Sequence, residues 1–245
     1  MPTVIHKMDC IEGMKTICKE NQFDVVVTSP PYNININYNL YKDNKPFDEY
    51  LDWMEEVYKQ VWRVLKDDGS FFINLGQKPS DEFRVFETIS RARKLFKIQN
   101  TIHWIKSFSY PEKEMCVGHF KPINSERFLY SGHEYIFHLT KTGSLKIDKN
   151  GIGVPYKDKT NVGRYSDVDL RDRGNVWVIP YSTVTGQKKH PTGFPEKLPE
   201  MCILLHGLKS DLQVCDPFIG SGTTARVCGR LGIDCVGFDI DDSYL

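Results

Sequence analysis

Two hydrophobic periods alternate along this chain. Thr3-Val4-Ile5-His6-Lys7-Met8 reads as a short strand ending at Asp9, and Cys10 to Glu20 then carries Ile11, Met14, Ile17 and Cys18 at helical spacing. Phe23-Asp24-Val25-Val26-Val27 is the near-continuous apolar run of a strand buried on both faces. A polar tract rich in Asn and Tyr, Asn33 to Asn44, has no period and predicts a flexible loop. Asp48 then predicts the cap of a helix with Leu51, Met54, Val57, Tyr58, Val61 and Leu65 on one face, ended by Asp68-Gly69. Ser70 to Leu75 predicts a strand, Glu82 to Leu95 a helix, and Ile98 to Ile105 another strand.

From Lys106 to Asn175 the rhythm breaks under Gly, Pro, Asn and charged residues, with one clear strand at Glu134 to Thr140. Long irregular segments in compact domains are usually functional or disordered. The alternation then resumes. Phe194-Pro195-Glu196 opens a helix to about Leu208, Leu212 to Cys215 is a strand, Gly220 to Leu231 is a glycine turn running into a helix, and Ile233 to Phe238 is a strand ending at Asp239. Strands and helices in alternation predict an α/β fold. No repeat, low-complexity segment or heptad pattern interrupts it.

With 245 residues and 40% hydrophobic content, the chain supports one core with an elaborated insertion. No apolar run reaches the roughly 18 residues of a membrane span, and Met1 to Lys7 lacks a secretory apolar region, so a soluble cytoplasmic protein is expected. The seven cysteines are odd in number and lack zinc-like spacing, which predicts reduced thiols and no metal site. Formal net charge is zero, so the chain is not a generic nucleic-acid sponge. Its cations cluster locally, however. Lys141, Lys146, Lys149, Lys157, Lys159 and Arg164 face only Asp148 and Asp158 in sequence, and Lys188-Lys189-His190 forms a second group. A solvated surface and a basic groove both fit that pattern.

Two motifs carry chemistry. Thr28-Ser29-Pro30-Pro31-Tyr32-Asn33 directly follows a buried strand. Adjacent prolines supply no N–H and hold the chain stiff, so their carbonyls, with Ser29 and the Tyr32 ring, offer acceptors beside a flat surface. An exocyclic amino group on a planar base needs such a pocket. Asp216-Pro217-Phe218-Ile219-Gly220-Ser221-Gly222-Thr223-Thr224 lies between a strand and a helix, and Asp239 ends the next strand, 19 residues after Gly220. Glycines admit a ligand close to the backbone, the helix start offers free N–H groups, and an acid at that offset suits ribose hydroxyls. A structural turn or a nicotinamide dinucleotide site would also produce the glycines. Ala225 replaces the third glycine of the dinucleotide fingerprint, and no GKS or GKT sequence marks a P-loop.

Together, TSPPY near the start and DPFIGSGTT near the end resemble the amino-methylating DNA methyltransferases, in the circularly permuted group that places the catalytic motif before the cofactor motif. Met8-Asp9-Cys10-Ile11-Glu12-Gly13-Met14 and Lys189-His190-Pro191-Thr192-Gly193-Phe194-Pro195-Glu196-Lys197-Leu198 resemble two further motifs of that family, in the expected order. The resemblance implies a Rossmann-like class I methyltransferase fold, with a mostly parallel central sheet and helices on both faces. It divides the chain into a catalytic half (1–105), a target-recognition insertion (106–175) and a cofactor half of the same core (176–245). It implies S-adenosyl-L-methionine as cofactor, its methionine part at Gly220 to Gly222, its ribose at Asp239 and its adenine amino group at Asp9, where a helix N-cap is the plainer reading. Phe218 would pack beside the cofactor, His190, Pro191 and Thr192 would close it, and Cys10, Thr28, Asp216, Thr223 and Thr224 complete the expected cofactor set.

By the same resemblance Ser29, Pro30, Pro31 and Tyr32 are the catalytic residues. Ser29 and the Pro30 carbonyl would accept hydrogen bonds from the target amine and Tyr32 would stack on a base flipped out of duplex DNA. The loop 33–44 would close over that base. C5 methylation is disfavoured, since no Pro-Cys dipeptide is present. Serine before the two prolines, and Phe194 before Pro195, are commoner among cytosine-N4 enzymes, so N4 of cytosine is the expected target and N6 of adenine the alternative. An RNA methyltransferase, a nicotinamide-linked oxidoreductase and a catalytically silent DNA-binding module are the competing classes. A restriction-modification setting with a cognate endonuclease follows only from the resemblance. The chain stops six residues past Asp239, before a helix the family would place there. An apolar sheet face left open beside the adenine pocket, covered in a homodimer, is the corresponding expectation.

Overall fold

The computed structural model of the protein describes residues 3–118, 125–164, 167–181 and 193–244. Its centre is an eight-stranded sheet. The first strand, β1 (Val4–Lys7), leads into helix α1 (Cys10–Ile17), and β2 (Phe23–Thr28) is buried along its whole length. Helix α2 (Phe47–Val64) passes directly into β3 (Leu65–Leu75). Then come α3 (Phe83–Ser90), β4 (Lys97–Ile105), a small hairpin of β5 (Phe108–Tyr110) and β6 (Met115–Val117), and β7 (His133–Thr140). The chain closes with β8 (Val176–Val178), α4 (Lys197–His206), β9 (Gln213–Asp216), α5 (Thr223–Leu231) and β10 (Asp234–Asp239).

The strand order is β1-β10-β9-β2-β3-β7-β4-β8. β7 alone runs against its neighbours β3 and β4, while the remaining pairs are parallel. Helices cover both faces, because alternate residues of each buried strand point opposite ways. Phe23 and Val26 join Met14, Met54, Val61 and Ile89 under α1, α2 and α3. Val25 and Val27 join Met201, Ile203, Val227 and Cys228 under α4 and α5. The mostly parallel α/β sheet is therefore the one expected from sequence.

Several boundaries differ from the sequence reading, each for a local reason. Pro46, not Asp48, stands at the α2 N-cap and makes no side-chain cap bond. Asp48 and Glu49 sit in the first turn, where negative charge complements the helix dipole. Leu65 begins β3 instead of ending the helix face, so Asp68-Gly69 lies within the strand, beside a register shift against β2. The stretch 106–175 is not wholly apart from the core, since β7 within it is an interior strand. Its cations are also partly neutralised, as Lys141 pairs with Asp67 at 2.9 Å, Lys149 with Asp172 at 3.1 Å, and Lys159 with Asp169. The Lys188-Lys189-His190 cluster lies outside the described residues.

The end of the chain is also better covered than expected. Phe238 of β10 is fully buried, and α1 lies so close that a Cβ on Gly13 would stand 2.4 Å from its ring. Beyond β10, Tyr244 folds back and its hydroxyl accepts from the Asn39 backbone N–H at 3.0 Å.

Candidate active site

Parallel sheets place their ligand crevices at the carboxyl ends of the strands, where the strand order reverses. Here the reversal lies between β2 and β9. Thr28, the last residue of β2, and Asp216, the last of β9, meet there through a 2.6 Å hydrogen bond donated by Thr28 Oγ1. Asp216 also accepts from Thr224 Oγ1 at 2.6 Å and from the Phe218 N–H at 3.1 Å. This carboxyl group is completely enclosed, and burial raises its pKa from 3.8 to about 6 despite those three donors. Thr28, Asp216 and Thr224 thus form a knot behind the crevice wall that fixes the turn between β9 and α5 to the end of β2.

In front of that knot opens a cavity of about 340 Å³. Both motifs line it. From the first come Ser29, Pro30, Pro31 and Tyr32; from the second come Phe218, Gly220 and Thr223, with Asp239 from β10 and Asp9 and Cys10 from the start of α1. Gly222 is the α5 N-cap and adopts φ 76°, a left-handed geometry that favours glycine. Asp239 Oδ2 accepts from the Gly220 N–H at 2.9 Å and Oδ1 from the Asp241 N–H at 2.8 Å, so it shapes the glycine turn while still facing the cavity. Asp9 uses Oδ1 to cap α1, accepting from Ile11 and Glu12, and its Oδ2 has no partner among the described residues. Capping and ligand binding can therefore coexist in one side chain. His190, Pro191 and Thr192 lie outside the described residues.

The Ser29–Tyr32 motif is more tightly wired than the sequence suggests. Tyr32 Oη lies 2.8 Å from Ser29 Oγ, 3.1 Å from Asn74 Oδ1 and 3.1 Å from Glu134 Oε2. Glu134 in turn pairs with Lys106 Nζ at 2.8 Å, both side chains largely shielded from water. Burial, and behind it the Glu134 charge, push the Tyr32 phenol well above its ordinary pKa. The Tyr32 ring rests where a Cβ on Gly76 would stand 2.4 Å away, so glycine is required at that crossing. The Pro31 carbonyl accepts from Tyr50 Oη at 2.9 Å. The Pro30 carbonyl has no such partner among the described residues and stays available.

The tract 33–44 is organised where a flexible loop was expected. The Asp43 carboxylate is buried and accepts from the N–H groups of Asn33, Ile34 and Ile36 at 2.7, 3.0 and 2.9 Å. Asn33 and Asn35 take the left-handed backbone that Asn tolerates. The loop brings Ile34, Ile36, Tyr38 and Tyr41 onto the cavity wall. Nearby, Lys45 stacks over the Tyr41 and Trp53 rings at 5.0 and 5.1 Å, and Trp53 meets Phe218 edge-on at 5.5 Å.

Sequence reasoning missed Asn74, Glu134, Lys106 and Asp241. Asn74 lies next to the C-terminal end of its strand, the same signal that picked out Asp239, and could have been found that way. Glu134 is the second residue of its strand, and only the reversed direction of β7 brings that end to the carboxyl edge of its neighbours. Asp241 lines the cavity with Oδ2 buried and without a hydrogen-bond partner within 3.5 Å among the described residues. The six cysteines other than Cys116 are buried, none is paired, and no cluster able to hold a metal ion exists among the described residues. Nor is any described helix long and apolar enough to cross a membrane.

A family model described as DNA methylase matches residues 23–245. The Type II methyltransferase M.BglII of Bacillus subtilis is 32% identical over 92% of this chain, which spans 62% of that relative's length. The DNA adenine methyltransferase YhdJ of Escherichia coli K12 is 30% identical over 99% of the chain and 80% of its own length. Among solved structures, the PvuII DNA methyltransferase (cytosine-N4-specific) superposes with a TM-score of 0.74 at 24% identity, covering 100% of this chain and 84% of that one. A putative DNA modification methylase of Thermus thermophilus, complexed with S-adenosyl-L-methionine, gives 0.65 at 23% identity, over 99% and 91%.

Proposed function

The chain belongs to the DNA methylase family of the N6/N4 type, and on that premise we propose that it moves a methyl group from S-adenosyl-L-methionine to the exocyclic N4 of a cytosine flipped out of duplex DNA. The observation that carries this reading is the shared cavity, in which the Ser29–Tyr32 loop and the Gly220–Asp239–Asp9 group face the same space.

The charge of that space supports the cofactor. Asp9, Glu134, Asp239 and Asp241 line it against Lys45 as the one lysine or arginine among the described lining residues. A sulfonium and an ammonium group suit such a surface, whereas the pyrophosphate of a nicotinamide dinucleotide would be repelled. Asp239 would hold the ribose hydroxyls, Asp9 Oδ2 the adenine amino group, and Phe218 one side of the cofactor. The buried Asp241 Oδ2 is a further acceptor for a donor-rich ligand. Bound there, the cofactor supplies an electrophilic methyl group on a cationic sulfur.

The protein's part is to improve a poor nucleophile. The N4 lone pair of cytosine is delocalised into the ring. Acceptance of the amine's hydrogens by Ser29 Oγ and the Pro30 carbonyl draws the nitrogen toward tetrahedral geometry and localises that pair. Holding it in line with the methyl group then adds the advantage of proximity. Flipping the base costs a few kcal/mol, and Tyr32 would offset part of this by contact with the base. The segment 106–175 is the candidate for reading the target, with cations there meeting phosphates. A Type II modification role beside an endonuclease accords with the relatives' names. Ser29 in the motif favours cytosine; adenine N6 is the second reading, favoured by the likeness to YhdJ.

Transfer of labelled methyl groups tests the proposal. Duplex DNA is expected to be labelled, RNA and free nucleosides not, and Ser29→Ala is expected to lower the rate about a hundredfold or more. Labelling of RNA alone would refute it.

A further inference from the structure

The hydrogen bonds behind Ser29 can run in only one direction. Asn74 Nδ2 donates to the Tyr135 carbonyl at 3.1 Å, which turns Asn74 Oδ1 toward Tyr32. Glu134 presents Oε2 to the same hydroxyl while Lys106 holds its other oxygen. Tyr32 therefore faces two atoms that only accept, and it has one hydrogen to give. That hydrogen goes to Glu134 or Asn74, so the 2.8 Å contact with Ser29 requires Ser29 to be the donor.

We propose that Asn74 and Glu134 are positioning residues that lock the Ser29 hydroxyl hydrogen inward, through Tyr32, so that Ser29 offers the target base only lone pairs. The site thereby selects an amino group over a carbonyl oxygen at the reacting position. A base carrying oxygen there, such as uracil in cytosine's place or hypoxanthine in adenine's, meets acceptor against acceptor. Sites built on such a pairing discriminate strongly, because the mismatch leaves buried polar groups unsatisfied. The proposal rests on the methyl-transfer reading and adds what sets the polarity of its pocket.

Reversing the chain tests it. In Glu134→Gln the amide oxygen stays with Lys106 and the NH₂ turns to Tyr32. Adding Asn74→Leu removes the remaining acceptor, so Tyr32 must donate to Ser29 and the Ser29 hydrogen is released toward the cavity. The probe is a duplex carrying the site that the wild-type protein methylates, found by sequencing methylated genomic DNA, with cytosine or uracil at the target position and an abasic site opposite it in both, so that no base pair has to be broken in either. If that base proves to be adenine, the pair is adenine and hypoxanthine. Binding is measured with sinefungin in place of the cofactor.

The wild type is expected to prefer the amino base by about tenfold or more. Asn74→Leu/Glu134→Gln is expected to abolish or invert that preference and to lower kcat about a hundredfold, with sinefungin affinity within about threefold. If the double variant fails to fold, Tyr32→Phe, which removes the oxygen that receives the Ser29 hydrogen, is expected to narrow the preference and lower kcat without raising the KM for cofactor. A folded variant that loses rate but keeps the wild-type preference overturns the inference, since a merely structural role would give that result. A wild type that methylates no DNA refutes the parent reading instead.

Discussion

Asp216 gives the sharpest quantitative expectation, because its burial works against its charge. An enclosed carboxyl group whose pKa rises from 3.8 in the unfolded chain to about 6 in the fold favours folding only while protonated. Its contribution is fully present below 3.8 and is lost as pH rises through about 6. At pH 8 the ionised group costs about 3 kcal/mol relative to its neutral form, and at pH 5 roughly half as much. Asp216→Asn keeps the shape and removes the charge. Its Oδ1 still accepts from Thr28 and Phe218, and its NH₂ faces Thr224, whose hydroxyl must rotate, at a cost of about 1 kcal/mol. The variant is therefore expected to be more stable than the wild type by about 2 kcal/mol at pH 8 and by about half a kcal/mol at pH 5. In melting temperature the pH 8 gain corresponds to roughly 4–8 °C. Urea unfolding of both proteins at each pH measures it, and differences between them cancel other titrations. An Asn variant less stable than the wild type at pH 8, or a difference that does not change with pH, would refute the reasoning.

Other expectations follow from single contacts. Gly76→Ala forces a Cβ to within 2.4 Å of the Tyr32 ring, so kcat should fall about tenfold or more while cofactor affinity, read by calorimetry, stays unchanged. Asp43→Ala strips the acceptor from three loop N–H groups, and cofactor affinity should drop about tenfold in a protein that remains folded by circular dichroism. His138 is buried against Ser70 and Asn100, and burial lowers its pKa to about 3. A lowered histidine pKa stabilises above 6.5 and loses that stability as pH falls, so His138 alone should remove about 2 kcal/mol between pH 8 and pH 5. The same titration in His138→Gln should be flatter by that amount. Asp241→Asn should weaken sinefungin, which keeps a cationic centre, more than S-adenosylhomocysteine, which has none at sulfur; equal weakening would count against charge complementarity.

The parallel half of the fold was legible because its strands are buried on both faces. Phe23 to Val27 and Val214-Cys215 have no reason to be apolar throughout unless both sides are covered. The acids at strand ends were legible too, since Asp216 and Asp239 each stop an apolar run. What an isolated residue type does not reveal is where its polar atoms point. Asp216 and Asp239 look alike in sequence, yet one is enclosed by two threonines and the other opens onto the cavity. Asp43 was hidden because a loop's order here comes from one carboxylate collecting backbone N–H groups, which leaves no periodicity. Glu134 was hidden by strand direction. Nothing in Glu134 to Thr140 says that it runs against β3, and only that reversal brings a strand's first residues to the Ser29–Tyr32 loop.

The central claim is that an amino group of DNA receives the methyl. Mass-spectrometric nucleoside analysis of duplex DNA incubated with the protein and methyl-labelled S-adenosyl-L-methionine tests it most directly. Label in N4-methylcytosine is the expected result, together with its loss in Ser29→Ala. Label confined to N6-methyladenine would contradict the choice of base, and label in 5-methylcytosine, or none in any nucleoside, would contradict the mechanism itself.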